Sequence, residues 1–194
     1  MDNKIRVYIY AFLSRIFSSE INLKLLNDLK KNQDLLKTIG INAFNYLNDT
    51  NEEDLLKSLS IDYCSTFIMN NNPIESSILD VKNEILIGLQ NPVMQFYVDY
   101  GYDLNLTSSS LNVPDHIGLE FGFMQTLVYR NQKKIEYKFM TQHLLTWIPP
   151  FLISIEDIAS TPFYKDISNF TIEFLLEDYK ELMKFSDDGE KIWF

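Results

Sequence analysis

The chain has 194 residues, 46% of them hydrophobic, with a single cysteine and a formal net charge of −10 at pH 7. This length and apolar share predict one folded domain and exclude wholesale disorder. The negative charge disfavours a nucleic acid as the main partner and would attract a basic peptide. Cys64 has no second cysteine for an intramolecular disulfide, which fits a reducing compartment.

Signals that the sequence lacks narrow the fold and the location further. Six glycines and six prolines are about half of the usual number, which argues against β-sandwiches and glycine-dependent nucleotide folds. No apolar run approaches the roughly 20 residues of a membrane span, and the N-terminus shows no signal-peptide pattern. We therefore expect a soluble, cytoplasmic protein.

Hydrophobic periodicity predicts helices along the first part of the chain. Apolar residues recur at three- and four-residue steps in 4–17 and again in 22–39. A third helix is predicted from Glu52, where three successive carboxylates complement the helix dipole, through Phe67. The sequence Asn-Asn-Asn-Pro at 70–73 should end it.

Between this point and residue 101 the pattern is less regular. A helix is predicted to begin near Glu75 and to reach residue 86 or 87, where Gly88 would stop it. A further helix should span 92–100, with Pro92 in its first turn and Gly101 as its C-terminal cap.

The stretch 101–113 is polar, rich in serine and asparagine and without period, which predicts a hinge-like linker. It would divide a single all-α, multi-helix domain into an N-terminal half, 1–100, and a C-terminal half, 114–194. The pattern predicts further helices at 115–130, 133–148 and 162–185. The proline pair at 149–150 is expected to break or kink the second of these.

The helix start after the linker gathers three ionisable side chains, Asp115, His116 and Glu120. Asp115 lies where a carboxylate accepts backbone N–H bonds, and His116 and Glu120 share a helix face four residues apart. Together they could bind a cationic ligand, the carboxylates by charge and the imidazole by a hydrogen bond. An ordinary capped helix with a side-chain pair explains the same residues equally simply.

A metal site is an alternative for the same region. His116 and Glu120, joined by His143 from the next helix, could bind zinc or iron on a helical scaffold. The sequence contains no CxxC, HExxH or Glu-x-x-His pattern and no glycine-rich phosphate loop. The absence of these patterns counts against a metal site. A small helical metalloenzyme that uses these three residues is nevertheless the alternative to a binding protein.

Short motifs occur in a characteristic order over residues 5–165. They are Tyr10-x-x-Leu13-x-Arg15-x-Phe17, Tyr63-x-x-x-Phe67, Pro73-x-Glu75-Ser76, Tyr97-x-x-Tyr100-Gly101, Pro114-Asp115-His116 with Leu119-Glu120-Phe121, and His143-Leu144-x-x-Trp147-x-Pro149. The ordered set resembles the TorD/DmsD/NarJ family of cytoplasmic chaperones for molybdoenzyme maturation.

This resemblance implies an all-helical chaperone that is not an enzyme and holds no cofactor. Members bind the twin-arginine leader of a molybdenum-containing oxidoreductase subunit and keep the apo form from export until its cofactor is inserted. The family's Asp-His pair falls on Asp115 and His116. Taken together with the side chains themselves, the motifs predict a peptide-binding set of Asp115, His116, Glu120, Glu75, Ser76, Leu79, Tyr63 and Phe67.

The sequence leaves alternatives for the apolar contacts of the groove, for the client and for the oligomeric state. Segment 74–90 has no tryptophan, which lines the leader groove in some members, so Ile78, Leu79 and Leu86 would supply the apolar contact. The client could be exported, or it could be a nitrate reductase that stays on the cytoplasmic side of the membrane. The chain could be a monomer or a homodimer that exchanges helices across the linker.

Overall fold

A computed structural model describes residues 1–80, 84–103 and 113–186, and the fold of these residues is all-α, as predicted. They contain no β-strand, and none of their helices is long and apolar enough to cross a membrane. Their α-helices are α1 (Asn3–Ser18), α2 (Leu23–Lys31), α3 (Gln33–Ile39), α4 (Ile41–Asp49), α5 (Glu52–Tyr63), α6 (Glu75–Leu79), α7 (Pro92–Asp99), α8 (Ile117–Tyr129), α9 (Lys133–Phe139), α10 (Leu145–Ile158) and α11 (Pro162–Leu182). Two π-helical segments, Cys64–Asn70 and Met140–Leu144, continue α5 and join α9 to α10.

Polar side chains begin and separate these helices. Asn22 and Asn51 each accept a backbone N–H at the start of α2 and α5. Asn32 ends α2 and caps α3, so the segment predicted as helical over 22–39 is two helices instead of one. Gly40 then separates α3 from α4, where Asp166 of α11 accepts the N–H of Ala43 at 2.7 Å.

The core joins early and late helices of the chain. α1 packs along α8, and α11 packs against α4 and α10. The α1–α8 approach is close because Gly118 faces small side chains: a Cβ there would lie 2.1 Å from Ser18 Oγ, and Ser14 Oγ donates to the Gly118 carbonyl at 2.6 Å. Asn3 bonds Asn131 just beyond the far end of α8, so the two helices run antiparallel.

Three expectations about helix ends are corrected or left untested. The helix predicted to reach residue 86 or 87 ends at Leu79, because Asp80 has extended backbone dihedral angles. The proline pair does not break its helix: α10 runs through both prolines, and the change of helical period comes earlier, at Met140–Leu144. Gly101, with φ of +74°, follows α7 as predicted, but most of the predicted linker, 104–112, lies outside the described residues.

Candidate functional site

The segment before α6 runs beside the segment before α8. Ile74 and His116 form an isolated antiparallel bridge, and Ile117 N–H donates to the Pro73 carbonyl at 2.9 Å. Glu75 N–H donates to the Asp115 carbonyl at 3.0 Å. This short pairing brings together Glu75, Ser76, Asp115 and His116, four of the residues that the sequence predicts for one site.

Asp115 caps the neighbouring helix instead of its own. Its Oδ2 accepts the backbone N–H of Ser76 at 2.8 Å, in the first turn of α6. Its Oδ1 is buried and has no hydrogen-bond partner among the described residues. Asp115 is therefore used inside the protein, where it fixes α6 against the start of α8.

His116 is the residue that caps α8. Its Nδ1 accepts the N–H of Gly118 at 3.1 Å, so Nδ1 carries no proton and the neutral ring is protonated on Nε2. Burial lowers the pKa of His116 to about 4, against a smaller opposing effect of Asp115. At neutral pH His116 is uncharged and has an Nε2–H donor to offer to a ligand.

A carboxyl cluster lies beneath these segments. We use this name for Glu75, Asp115, Glu120, His143 and Trp147. The two carboxylate oxygens of Glu75 each lie 3.1 Å from His143 Nδ1, and Trp147 Nε1–H donates to Glu120 Oε2 at 3.1 Å. Burial, and then the charge of Glu75, raise the pKa of Glu120 well above its usual range. Burial thus favours the neutral, protonated form of Glu120 in the folded protein.

This burial changes the expected role of two residues. Asp115 and Glu120 are 1% and 0% exposed, so neither carboxyl group reaches a ligand at the surface in this structure. Internal hydrogen bonds hold both groups in this conformation. That Asp115, His116 and Glu120 together bind a cationic ligand stays a prediction.

A groove of about 410 Å³ opens next to His116. Three residues that the sequence predicts from separate motifs line it together, namely Tyr63, Phe67 and His116. The rings of Tyr63 and Phe67 lie 5.2 Å apart between centroids and form an aromatic floor. Ile68, which is 61% exposed, and Glu20 lie at the same opening.

A second cavity of about 640 Å³ adjoins the groove, because Asn72 lines both. Its walls include the amides of Asn70 and Asn71 and the apolar side chains of Ile78 and Phe151. Leu79, the remaining predicted site residue, follows Ile78 on α6 and is half exposed. Polar and apolar side chains thus line both openings.

The metal alternative finds no support in the geometry. Within residues 1–80, 84–103 and 113–186, no group of three or more His, Cys, Asp or Glu side chains could hold a metal ion. His143 is bonded to Glu75, while His116 uses Nδ1 as a helix cap. The three residues of the proposed metalloenzyme therefore serve separate internal contacts.

The sequence did not single out Glu20. This exposed residue lies between α1 and α2, and its carboxylate accepts hydrogen bonds from the Ser60 hydroxyl and from Cys64 Sγ, the latter at 3.4 Å. An isolated glutamate after two serines looks like an ordinary surface residue. Its only sequence signal is its position in a short connection directly after the motif helix that ends near Phe17 and Ser18.

The family model described as nitrate reductase delta subunit matches residues 31–152. The chain is 23% identical over 201 residues to the chaperone protein TorD of Shewanella oneidensis, covering 94% of this chain and 92% of that protein. It is 24% identical over 210 residues to the chaperone protein TorD of Vibrio atlanticus, covering 93% and 95%. The motif order therefore predicted the family correctly, and the chain belongs to the nitrate reductase delta subunit family, with chaperones among its relatives.

Proposed function

We propose that this chain is a cytoplasmic maturation chaperone for a molybdenum-containing oxidoreductase. It binds the twin-arginine leader of the apo subunit, holds the subunit while its cofactor is inserted, and so delays export. The protein performs no bond-breaking step and needs no cofactor of its own for this role.

The groove lined by Tyr63, Phe67 and His116 carries this proposal. A twin-arginine leader combines guanidinium groups with an apolar stretch, and this groove places polar groups beside the exposed apolar side chain of Ile68. Ile68 at the groove and Ile78 in the adjoining cavity offer apolar contact for the rest of the leader. The net charge of −10 favours encounter with a basic peptide.

His116 has a defined role in this binding. Because its Nδ1 is occupied by Gly118, the imidazole donates from Nε2–H, which suits a peptide carbonyl. Its neutrality at pH 7 avoids repulsion of the arginines. His116 thus binds the leader backbone, while other groups bind the cationic side chains.

The buried predicted residues act through position. Asp115 and Ser76 hold α6, which carries the exposed Ile78 and Leu79 beside the groove. Glu75 and Glu120 join the same support through His143 and Trp147. These residues shape the binding surface without touching the leader.

Titration of a fluorescent twin-arginine leader peptide tests the proposal. His116→Asn keeps a capping side chain for Gly118 but removes the Nε2–H donor, and we expect about 10-fold weaker binding. Ile68→Ser removes exposed apolar area at the groove and should also weaken binding several-fold, roughly in proportion to the area lost. Tyr129→Ser, an exposed change at the other end of α8, serves as the control and should leave the affinity unchanged.

Failure of the wild-type protein to bind the leader would contradict the proposal, as would equal affinities for all three variants. Purification from the native cytoplasm followed by mass spectrometry should recover a molybdoenzyme subunit, and its leader tells whether the client is exported. Stoichiometric zinc, iron or manganese in protein purified without chelator would instead favour the metalloenzyme.

A further inference from the structure

Glu20 is a carboxylate held in place at the rim of the groove. It lies in the connection between α1 and α2 and accepts hydrogen bonds from Ser60 on α5 and from Cys64, which follows that helix. Among the described residues that line the groove, it is the one that carries a carboxylate. It is exposed, whereas Asp115 and Glu120 are sealed inside.

The other walls add apolar contact beside this carboxylate. The floor is the pair of Tyr63 and Phe67, which line the groove but are only 5% and 2% exposed, so they offer a ligand a small apolar contact. A guanidinium group binds a carboxylate through two parallel hydrogen bonds while its carbon stem packs on apolar surface. His116, neutral near pH 7 because burial lowers its pKa to about 4, adds no repulsion.

The cation already near this rim does not occupy the site. Arg15 donates from its guanidinium to the hydroxyl of Ser19. Within the described part of the chain, Glu20 forms no ion pair, and its carboxylate contacts are the neutral donors Ser60 and Cys64. Neutral donors orient a carboxylate and leave its charge uncompensated.

We infer that Glu20 and the Tyr63–Phe67 floor form a binding site for one arginine side chain of the bound leader. This inference rests on the proposed function and names the group that recognises the peptide's charge. Lysine would be a poorer occupant, because its compact ammonium lacks the planar fork that binds a carboxylate bidentately. The site therefore accounts for selection of arginine as opposed to positive charge alone.

Affinity measurements with matched variants test this inference. Glu20→Gln keeps the size of the side chain and removes its charge, and we expect about 10-fold or greater loss of affinity for the arginine-containing leader. Glu53→Gln is the matched control: it makes the same change of net charge at an exposed residue in the first turn of α5. It should change the affinity by less than about 2-fold at 0.15 M salt.

The peptide supplies the second half of the test. Leaders with one or the other arginine replaced by glutamine should bind the wild type less well, and one of them should bind Glu20→Gln and wild type equally. That coupling identifies the arginine that Glu20 contacts. A lysine at the same peptide position should recover only part of the affinity.

The outcomes separate this inference from the proposed function. If the wild type binds the leader in an arginine-dependent way and Glu20→Gln binds equally tightly, the arginine site is elsewhere and the inference is wrong, while the proposed function stands. If Glu20→Gln and Glu53→Gln weaken binding alike, the effect is long-range charge and the inference is again wrong. If the wild type does not bind the leader at all, both are wrong.

Discussion

Two buried polar clusters, one built on α1 and one at the start of α8, differ in how their charges are balanced. The arginine cluster, which we define as Arg6, Tyr10, Lys133, Glu136 and Asp178, joins α1, α9 and α11. Arg6 contacts Glu136 at 2.6 Å and Asp178 through two of its nitrogens, one of them at 2.8 Å. Lys133 approaches Glu136 at 3.2 Å, so two cations face two carboxylates.

The carboxyl cluster has three acids and, among its described members, no side chain with a permanent positive charge. Burial and the nearby Glu75 raise the pKa of its Glu120. Asp115 Oδ1 and Glu120 Oε1 are buried without a described partner, whereas the arginine cluster has one such oxygen, on Glu136. The arginine cluster pairs each carboxylate with a cation, and the carboxyl cluster contains an acid whose protonated form burial favours.

Burial of charge therefore has different consequences in the arginine cluster and in the carboxyl cluster. The arginine cluster lies far from the groove and should act on stability alone. The carboxyl cluster contacts α6 and the start of α8, which border the groove, so we expect changes there to affect the binding surface as well as stability.

Removal of Arg6 should have the largest effect on stability. Arg6→Met leaves Asp178 and Glu136 buried without their partner, which costs about 3–5 kcal/mol in the free energy of unfolding. Urea denaturation followed by circular dichroism measures this loss. Lys184→Met, which breaks the exposed pair with Glu181, is the control and should cost less than about 1 kcal/mol. Equal losses would mean that the arginine cluster is no more important than a surface pair.

Acid should destabilise the protein through His116. Its pKa is about 4 when folded and about 6.5 when unfolded, so the unfolded state binds more protons between these values. The stability from this residue is complete above pH 6.5 and falls by roughly 3 kcal/mol as pH drops to 4.

His116→Asn isolates that dependence. Asparagine still caps Gly118 but does not titrate, so the acid slope in urea denaturation should become shallower between pH 6.5 and 4. Identical slopes for the two proteins would show that His116 is not buried in its neutral form.

The helices follow closely from the sequence where local signals agree with tertiary packing. Helices α1, α5, α7, α8 and α11 have long apolar periods and clear capping residues, and their predicted bounds are close to those of the structure. The segment of α2 and α3 keeps one hydrophobic phase, so the break at Asn32 cannot be read from periodicity. Helix α6 ends at Leu79, where Asp80 is extended, and its first turn is held by Asp115, thirty-nine residues away along the chain.

The sequence motifs predicted only some of the residues that the structure brings together at the groove. Tyr63, Phe67 and His116 belong to recognisable motifs, and the structure brings them to one groove. The depth of Asp115 and Glu120 depends on the pairing before α6 and on Trp147, which are tertiary contacts. Glu20 belongs to no motif, and its position is defined by partners forty residues away along the chain.

Glu120 should make stability fall toward alkaline pH. Because folding raises its pKa, the folded state holds a proton that the unfolded state releases above about pH 4.5. The stability from this group is complete below that pH and is lost at up to about 1.4 kcal/mol per pH unit until the folded pKa is reached.

Glu120→Gln removes this slope. The amide can still accept from Trp147 and donate towards Glu75, so stability near pH 5 should change little. At pH 8 the variant should be more stable than the wild type, by about 1 kcal/mol or more in urea denaturation. An unchanged slope above pH 6.5, where His116 no longer contributes, would mean that the carboxyl cluster is ionised and would remove the contrast with the arginine cluster.

The smallest expected effect is at the close contact of α1 and α8, at Gly118. Gly118→Ala would place a Cβ 2.1 Å from Ser18 Oγ and 3.2 Å from the Ser14 carbonyl, so the helices must shift near His116. The strain outweighs the gain in helix propensity, and we expect a net loss of about 1 kcal/mol. Gly122→Ala, whose nearest contact would be Ser14 Oγ at 3.3 Å, should be nearly neutral in the same thermal unfolding experiment. If both alanines were tolerated equally, the groove end of the α1–α8 pair would adjust freely, and the leader affinity of Gly118→Ala should then equal that of the wild type.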